Sequence, residues 1–190
     1  MTPMTIFIFV CVFWVTSEIV ISVRRRSGVT GATKRDRLSL YVMWIAFCAG
    51  PFIGGTLTAV RSTGMGVGLR PYAFWVGIIL MLTGIAIRWT AIATLKRYFT
   101  VDVAIARDHK VIDSGLYAIV RHPSYAGSLI SCFGLGLAFC NWLSFAVVML
   151  FAIVGIAYRI AVEEDALLDA LGDDYRRYAS RTKRLIPGIY

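Results

Sequence analysis

Three groups of residues in this chain have the types and spacing to do chemistry. The first is the string Gly115-Leu116-Tyr117-Ala118-Ile119-Val120-Arg121-His122-Pro123-Ser124-Tyr125-Ala126-Gly127, where a polar loop turns into an apolar run. Arg121 and His122 stand at the mouth of a helix that Pro123 starts, because proline presets the backbone angle of a first helical turn and has no N–H to leave unsatisfied. Gly127, one turn on, has no side chain and lets another helix or a ligand come close. The second group is Glu163-Glu164-Asp165, at the end of the next long apolar run. If the chain crosses a membrane and returns between the two groups, both lie on the same side, and their meeting point is the candidate active site. The third is Arg88, followed by Trp89, inside an earlier apolar run. Arginine stays charged and is costly in lipid. Either its long side chain snorkels to the interface, or it faces an internal cavity and holds an anionic substrate group.

The elements that must position these groups are membrane spans. Of the 190 residues 58% are hydrophobic and only 16% charged, where a soluble domain has about a quarter charged. Long stretches carry almost no charge, the pattern of a polytopic membrane protein with one compact domain. A helix needs roughly 20 apolar residues to cross the hydrocarbon core, and five stretches qualify: about 4–23, 39–60, 72–95, 124–140 and 142–162, the fourth being short. Basic residues crowd loop 24–38, loop 96–123 and the tail after Arg176, whereas loop 61–71 carries only Arg61 and Arg70 and the turn at Asn141 none. Basic loops face the cytoplasm. The expectation is therefore an all-α integral membrane protein of five transmembrane helices, amino terminus outside, carboxyl terminus cytoplasmic. Short interfacial helices and a loop would form a cytosol-facing pocket in a bacterial or archaeal inner or plasma membrane. The net charge of +9 is read as topogenic and as contact with anionic membrane lipids. Nucleic-acid binding is excluded, since basic residues are not interleaved with an aromatic platform.

Smaller features leave specific choices. Glu18 in the first span either snorkels to the interface or serves a site. Gly50-Pro51 and Gly54-Gly55 break the second span and permit close helix packing. Gly64-Met65-Gly66-Val67-Gly68 looks like a nucleotide loop, but it follows no strand, opens no soluble helix and sits in an external loop. Segment 96–115 reads as a small surface hairpin or an irregular lid. Beyond Glu163, Leu167, Leu168 and Leu171 recur at helical spacing, Gly172 interrupts, and Tyr175, Tyr178 and Arg181–Arg184 either anchor the tail at headgroup depth or close the pocket. Cys11, Cys48, Cys132 and Cys140 lie in or beside apolar runs without metal-ligand spacing and read as small buried hydrophobes. His109 and His122 are too far apart to suggest a zinc motif. No metal is expected.

Taken together, Arg121-His122-Pro123-Ser124-Tyr125-Ala126-Gly127, the hairpin containing Cys140-Asn141, and Glu163-Glu164 resemble the isoprenylcysteine carboxyl methyltransferase family. The resemblance extends upstream to Leu116-Tyr117 and downstream through Gly172-Asp173-Asp174-Tyr175 and Tyr178 to Arg181-Thr182-Lys183-Arg184-Leu185-Ile186-Pro187, covering residues 84–190. It implies a membrane-embedded methyltransferase that uses S-adenosylmethionine without a soluble Rossmann fold. By position, Leu116, Tyr117, Arg121, His122, Pro123, Tyr125, Gly127, Glu163 and Glu164 would bind the cofactor. Arg88 would be catalytic, and with Trp89 would bind a lipophilic small-molecule or lipid substrate. A related motif occurs in membrane phospholipid methyltransferases, and parts of the ending resemble membrane sterol reductases that use reduced nicotinamide cofactor.

The chemistry suits the residues. Methyl transfer from a sulfonium is an in-line displacement with an activated donor, so it asks mainly for positioning. Glu163 or Glu164 can accept from the cofactor's hydroxyls or ammonium, adjacent helical residues pointing about 100° apart. His122 and the amides at the helix start can hold its carboxylate, and Tyr117 or Tyr125 can pack against adenine. Arg88 could grip a lipid-borne carboxylate by two parallel bonds. Whether the acceptor atom belongs to a carboxylate, thiol, amine or hydroxyl is open at this point, as is a non-enzymatic lipid-binding role.

Overall fold

The computed structural model describes residues 1–24, 34–99 and 111–190. Six helices carry the architecture: α1 Pro3–Arg24, α2 Lys34–Leu57, α3 Arg70–Leu95, α4 Pro123–Ala138, α5 Trp142–Leu171 and α6 Asp173–Arg181. Among the described residues there are no strands, only the isolated bridges Gly64 to Asn141 and Val120 to Lys183. The hairpin expected around residues 101–112 falls almost wholly outside the described residues.

Among the described residues four helices are long and apolar enough to cross a membrane: α1, α2 from Leu38, α3 and α5. The fourth expected span, α4, has 16 residues, about 24 Å at the helical rise, so it falls short of that standard. Its two ends nevertheless meet opposite ends of its neighbours. At its start Ser124 touches Arg88, near the end of α3. Just past its end, Asn141 donates to the Val60 carbonyl at 3.1 Å, and Cys140 accepts from the Met65 N–H, both partners preceding α3. Two other expectations are corrected. The second span is not broken: α2 runs through Pro51 to Leu57. The last long helix does not stop at residue 162 but runs two turns past Glu164 to Leu171, where Gly172 at φ +53° ends it.

Glycine decides which helices touch. Gly77 and Gly84 on α3 face Gly134 and Gly127 on α4; a Cβ at Gly127 would lie 2.6 Å from the Gly84 carbonyl oxygen and 2.7 Å from the Arg88 nitrogen. The two backbones are in contact, as small residues at a membrane helix interface allow. Gly50 and Gly54 on α2 make room for the Phe151 and Val148 side chains of α5. The core that results contains Val10, Trp14, Ile78, Met81, Ile85, Cys132, Leu135, Val148 and Ala152.

The glycine-rich string 64–68 belongs to the Asn141 end. Met65 is buried there, Arg70 Nε donates to its carbonyl at 2.9 Å, and Thr63 Oγ1 bonds Asn141 Oδ1 at 3.1 Å. Asn141 also caps α5 by accepting from the Ser144 N–H at 3.0 Å. This loop seals the hairpin turn, remote from the Arg121 end.

Candidate active site

The two polar strings meet. Arg121 Nε donates to Glu164 Oε1 at 2.8 Å, His122 Nε2 lies 3.2 Å from the same oxygen, and the Tyr125 hydroxyl donates to Glu163 Oε2 at 2.7 Å. Neighbouring positions on α5 thus address different partners, as the turn of a helix requires. Glu164 is buried, and its other oxygen accepts from Arg184 Nε at 2.8 Å. Both of its oxygens are therefore held by groups of this chain.

The tail is part of the same construction. The Arg121 and His122 N–H groups donate to the Lys183 and Arg184 carbonyls at 2.7 and 3.0 Å. Arg121 Nη1 also donates to the Ala179 and Thr182 carbonyls. The Tyr178 hydroxyl donates to the Tyr117 carbonyl at 2.7 Å. Of the two roles open to the tail, this arrangement supports closure of the site. Burial raises the Tyr117 and Tyr175 hydroxyl pKa values and pushes Tyr178 up to about 12. Hydrogen bonding to Glu164 raises that of Arg184. Leu116 is half-buried beside Tyr117, and Pro123 is buried at the first turn of α4. Gly127 is taken up by the contact with α3: the close approach it permits is by a helix.

Arg88 is buried on α3 and does not snorkel. Nη1 donates to Ser124 Oγ at 2.7 Å, Nη2 donates to Glu18 Oε2 at 2.7 Å, and Nε lies 2.6 Å from Glu18 Oε1. The Nε contact is an ion pair and not an aligned hydrogen bond. Glu18, for which snorkelling was one reading, is thereby tied to the candidate catalytic residue. Both line a cavity of about 280 Å³. Its walls are otherwise mostly apolar, with Phe7 and Trp14 from α1, Met43 and Phe47 from α2, and Leu135 from α4, beside Ser22, Tyr125 and Ser128. Cys11 and Cys48 also line it, and Cys48 is exposed, not a buried hydrophobe. Trp89 is 44% exposed and does not line the cavity. Tyr125 joins the two regions, since it lines the cavity while its hydroxyl bonds Glu163.

The sequence reading passed over Arg159. It is 1% exposed on α5, one turn before Glu163, donates to Ser39 Oγ on α2 at 2.6 Å, and its Nε reaches the Tyr125 hydroxyl at 3.4 Å. The signal that singled out Arg88, an arginine inside an apolar run, was equally present here.

Residues 76–169 match the isoprenylcysteine carboxyl methyltransferase family. The chain is also 31% identical over 186 residues to protein-S-isoprenylcysteine O-methyltransferase B of Arabidopsis thaliana, covering 94% of this chain and 89% of that one. The chain belongs to the isoprenylcysteine carboxyl methyltransferase family. It is thus a multi-pass membrane methyltransferase.

Its fold is that of the solved eukaryotic intramembrane Ras methyltransferase, isoprenylcysteine carboxyl methyltransferase, with a TM-score of 0.58 at 24% identity. That match covers 85% of this chain and 55% of the solved one, so the larger protein has elements this chain does not span. A shorter stretch of 72 residues is 40% identical to methanethiol S-methyltransferase 1 of Bradyrhizobium diazoefficiens, covering 38% of this chain and 24% of that protein. Proteins similar to this chain thus carry names with different acceptor atoms, and they come from a plant as well as a bacterium. They do not bear on the expectation of a bacterial or archaeal host.

Proposed function

We propose that this protein transfers a methyl group from S-adenosylmethionine to a lipophilic acceptor, the carboxylate of an isoprenylcysteine-like compound. The observation that carries the reading is the position of Tyr125. It forms a wall shared by an apolar cavity inside the helix bundle and a polar cluster at the bundle's end. A water-soluble donor and an oily acceptor need that juxtaposition.

The residues fit the donor by their chemistry. The cluster offers carboxylates, an imidazole, guanidinium groups and tyrosine hydroxyls within one buried region, and among the described residues the buried Tyr175 hydroxyl has no hydrogen-bond partner. A ligand with hydroxyls, an ammonium and a carboxylate complements that set. Glu163 and Tyr175 would face its hydroxyls and ammonium, His122 its carboxylate, and Leu116, Tyr117 and Tyr125 its adenine. Arg121, Pro123, Gly127 and Glu164 hold the walls. When bound, S-adenosylmethionine supplies a methyl group on a sulfonium, which needs no further activation.

The chain's own work is binding, alignment and exclusion of water. Arg88, in a mostly apolar cavity, has a guanidinium edge that can hold a carboxylate by two contacts, the edge that Glu18 faces in the structure. Ser124 fixes the far side of that guanidinium through Nη1. A carboxylate acceptor is already ionised, so no general base is required. Trp89 is exposed at the next position and would border the acceptor's lipid path rather than its reacting end.

The membrane arrangement proposed is the five-span one, with the polar cluster on the cytoplasmic side. The reach of α4 from Arg88 to the turn at Asn141 supports its counting as a crossing. The decisive experiment is calorimetry on the purified full chain with S-adenosylmethionine and with its demethylated product, followed by mass spectrometry of an isoprenylcysteine acceptor. Binding with acceptor gaining one methyl group is expected; folded protein that binds neither donor form overturns the reading. The similarity to a methanethiol S-methyltransferase favours one second reading, a thiol acceptor, and a thiol offered in competition with the carboxylate acceptor distinguishes the two.

A further inference from the structure

The guanidinium of Arg88 already has an anionic partner, and the partner is unusual in its placement. Glu18 is 70 residues away on α1, yet it presents both carboxylate oxygens to the Nε and Nη2 edge of Arg88, at 2.6 and 2.7 Å. That edge is the one able to grip a carboxylate through two parallel contacts. Glu18 and Arg88 line the mostly apolar cavity together, with Ser22, Tyr125 and Ser128. An acceptor whose chain fills the cavity and whose carboxylate reaches Arg88 would meet the Glu18 carboxylate in its place.

We propose that Glu18 is a built-in occupant of the acceptor's carboxylate seat, a positioning residue that the acceptor displaces on binding and that re-forms its pair with Arg88 once the product is made. This deepens the proposed function and rests on its carboxylate acceptor. The acceptor enters with one negative charge and leaves as a neutral methyl ester. The new O–CH3 bond forms as the donor's S–CH3 bond breaks, the carboxylate's negative charge and the sulfonium's positive charge vanish together, and no proton moves. Before transfer two carboxylates compete for one buried guanidinium; after it only Glu18 remains charged. An unpaired buried cation is costly, so the Glu18 pair keeps the guanidinium matched both in the empty site and once the neutral ester has formed. The exchange spares the main helix pairs. Of the 22 residues of α1 only Val10, Trp14, Ser17 and Ile21 are buried, and the glycine contacts that join α2 to α5 and α3 to α4 do not involve α1.

The test compares wild type, Glu18→Gln and Glu18→Asp in bilayers, with N-acetyl-S-farnesylcysteine as acceptor and its methyl ester as competing product. A seat occupied nine-tenths of the time by Glu18 weakens apparent acceptor affinity about tenfold. Glu18→Gln is therefore expected to lower KM for the acid by about that factor while ester affinity changes far less. Glu18→Asp keeps the charge on a shorter side chain and should fold as wild type does, with a smaller fall in KM. Acid affinity that is unchanged or weaker in both variants, or acid and ester affinities that move together, overturns the inference while leaving the proposed function standing. A wild type that methylates no carboxylate acceptor overturns the proposed function itself.

Discussion

Arg88 holds Ser124 on one side and Glu18 on the other, and its buried charge is matched within the bundle. Replacing it by alanine removes the proposed acceptor anchor but none of the contacts within the Arg121–Glu164 cluster. Arg88→Ala is expected to lower turnover by about 100-fold or more while donor affinity measured by calorimetry is retained; equal loss of both would contradict the assigned role. Arg88→Lys keeps the charge and loses the two-pronged grip, so it should fold and still turn over poorly. At this scale the sequence was legible where chemistry was strung together. Arg121-His122 and Glu163-Glu164 are short strings, and each could be seen whole. It was illegible where a partner came from elsewhere in the chain. The pairs of Glu18 with Arg88 and Ser39 with Arg159 span 70 and 120 residues, and no local pattern marks which helices will be neighbours.

The elements divide into two close pairs, α2 with α5 and α3 with α4, each set by glycines with no room for a methyl group. Gly50 and Gly54 could be read from their four-residue spacing. Gly77 with Gly84 and Gly127 with Gly134 recur every seven residues in otherwise apolar helices, and only their mutual contact reveals the pairing. Gly127→Ala is expected to destabilise the protein by about 1–3 kcal/mol and to lower activity by shifting Ser124 relative to Arg88. Gly66→Ala, where a Cβ meets nothing within 4 Å, should do neither; paired thermal melts and rate assays check both. The contact of α6 with the Leu116–Tyr117 turn has a pH signature. The Tyr178 hydroxyl donates to Tyr117 only while protonated, and its pKa stands at about 12 against the usual 10.0, chiefly through burial. A pKa raised by folding gives stability that is full below the unfolded value and lost as pH climbs through the folded one. Wild type should exceed Tyr178→Phe by about 1 kcal/mol below pH 10, and melting curves should show that advantage fading between about pH 10 and 12.

The whole molecule separates a structural end from a chemical one. At the first, Asn141, Met65 and Arg70 close the hairpin turn; at the other, residues of α4, α5 and the tail converge. Charge distribution sets an expectation of which end faces the cytoplasm, but it could not supply the internal cavity, because apolar residues that line a cavity and those that face lipid are the same types. With the native cysteines replaced, a cysteine at Ser62 should react with a membrane-impermeant maleimide in intact cells, and one at Ser180 only after permeabilisation. The reverse pattern would invert the proposed orientation.

The hydrogen bonds from Arg121 and His122 to the Lys183 and Arg184 carbonyls carry a consequence for biogenesis. The motif leaves the ribosome some 61 residues ahead of the segment that clamps it, with a membrane hairpin to be inserted in between. A nascent chain stalled or cleaved before Thr182 would be membrane-integrated yet would lack the segment that latches the Arg121–Glu164 cluster. On the proposed function, copies cut before Thr182 should sit in the bilayer as silent protein.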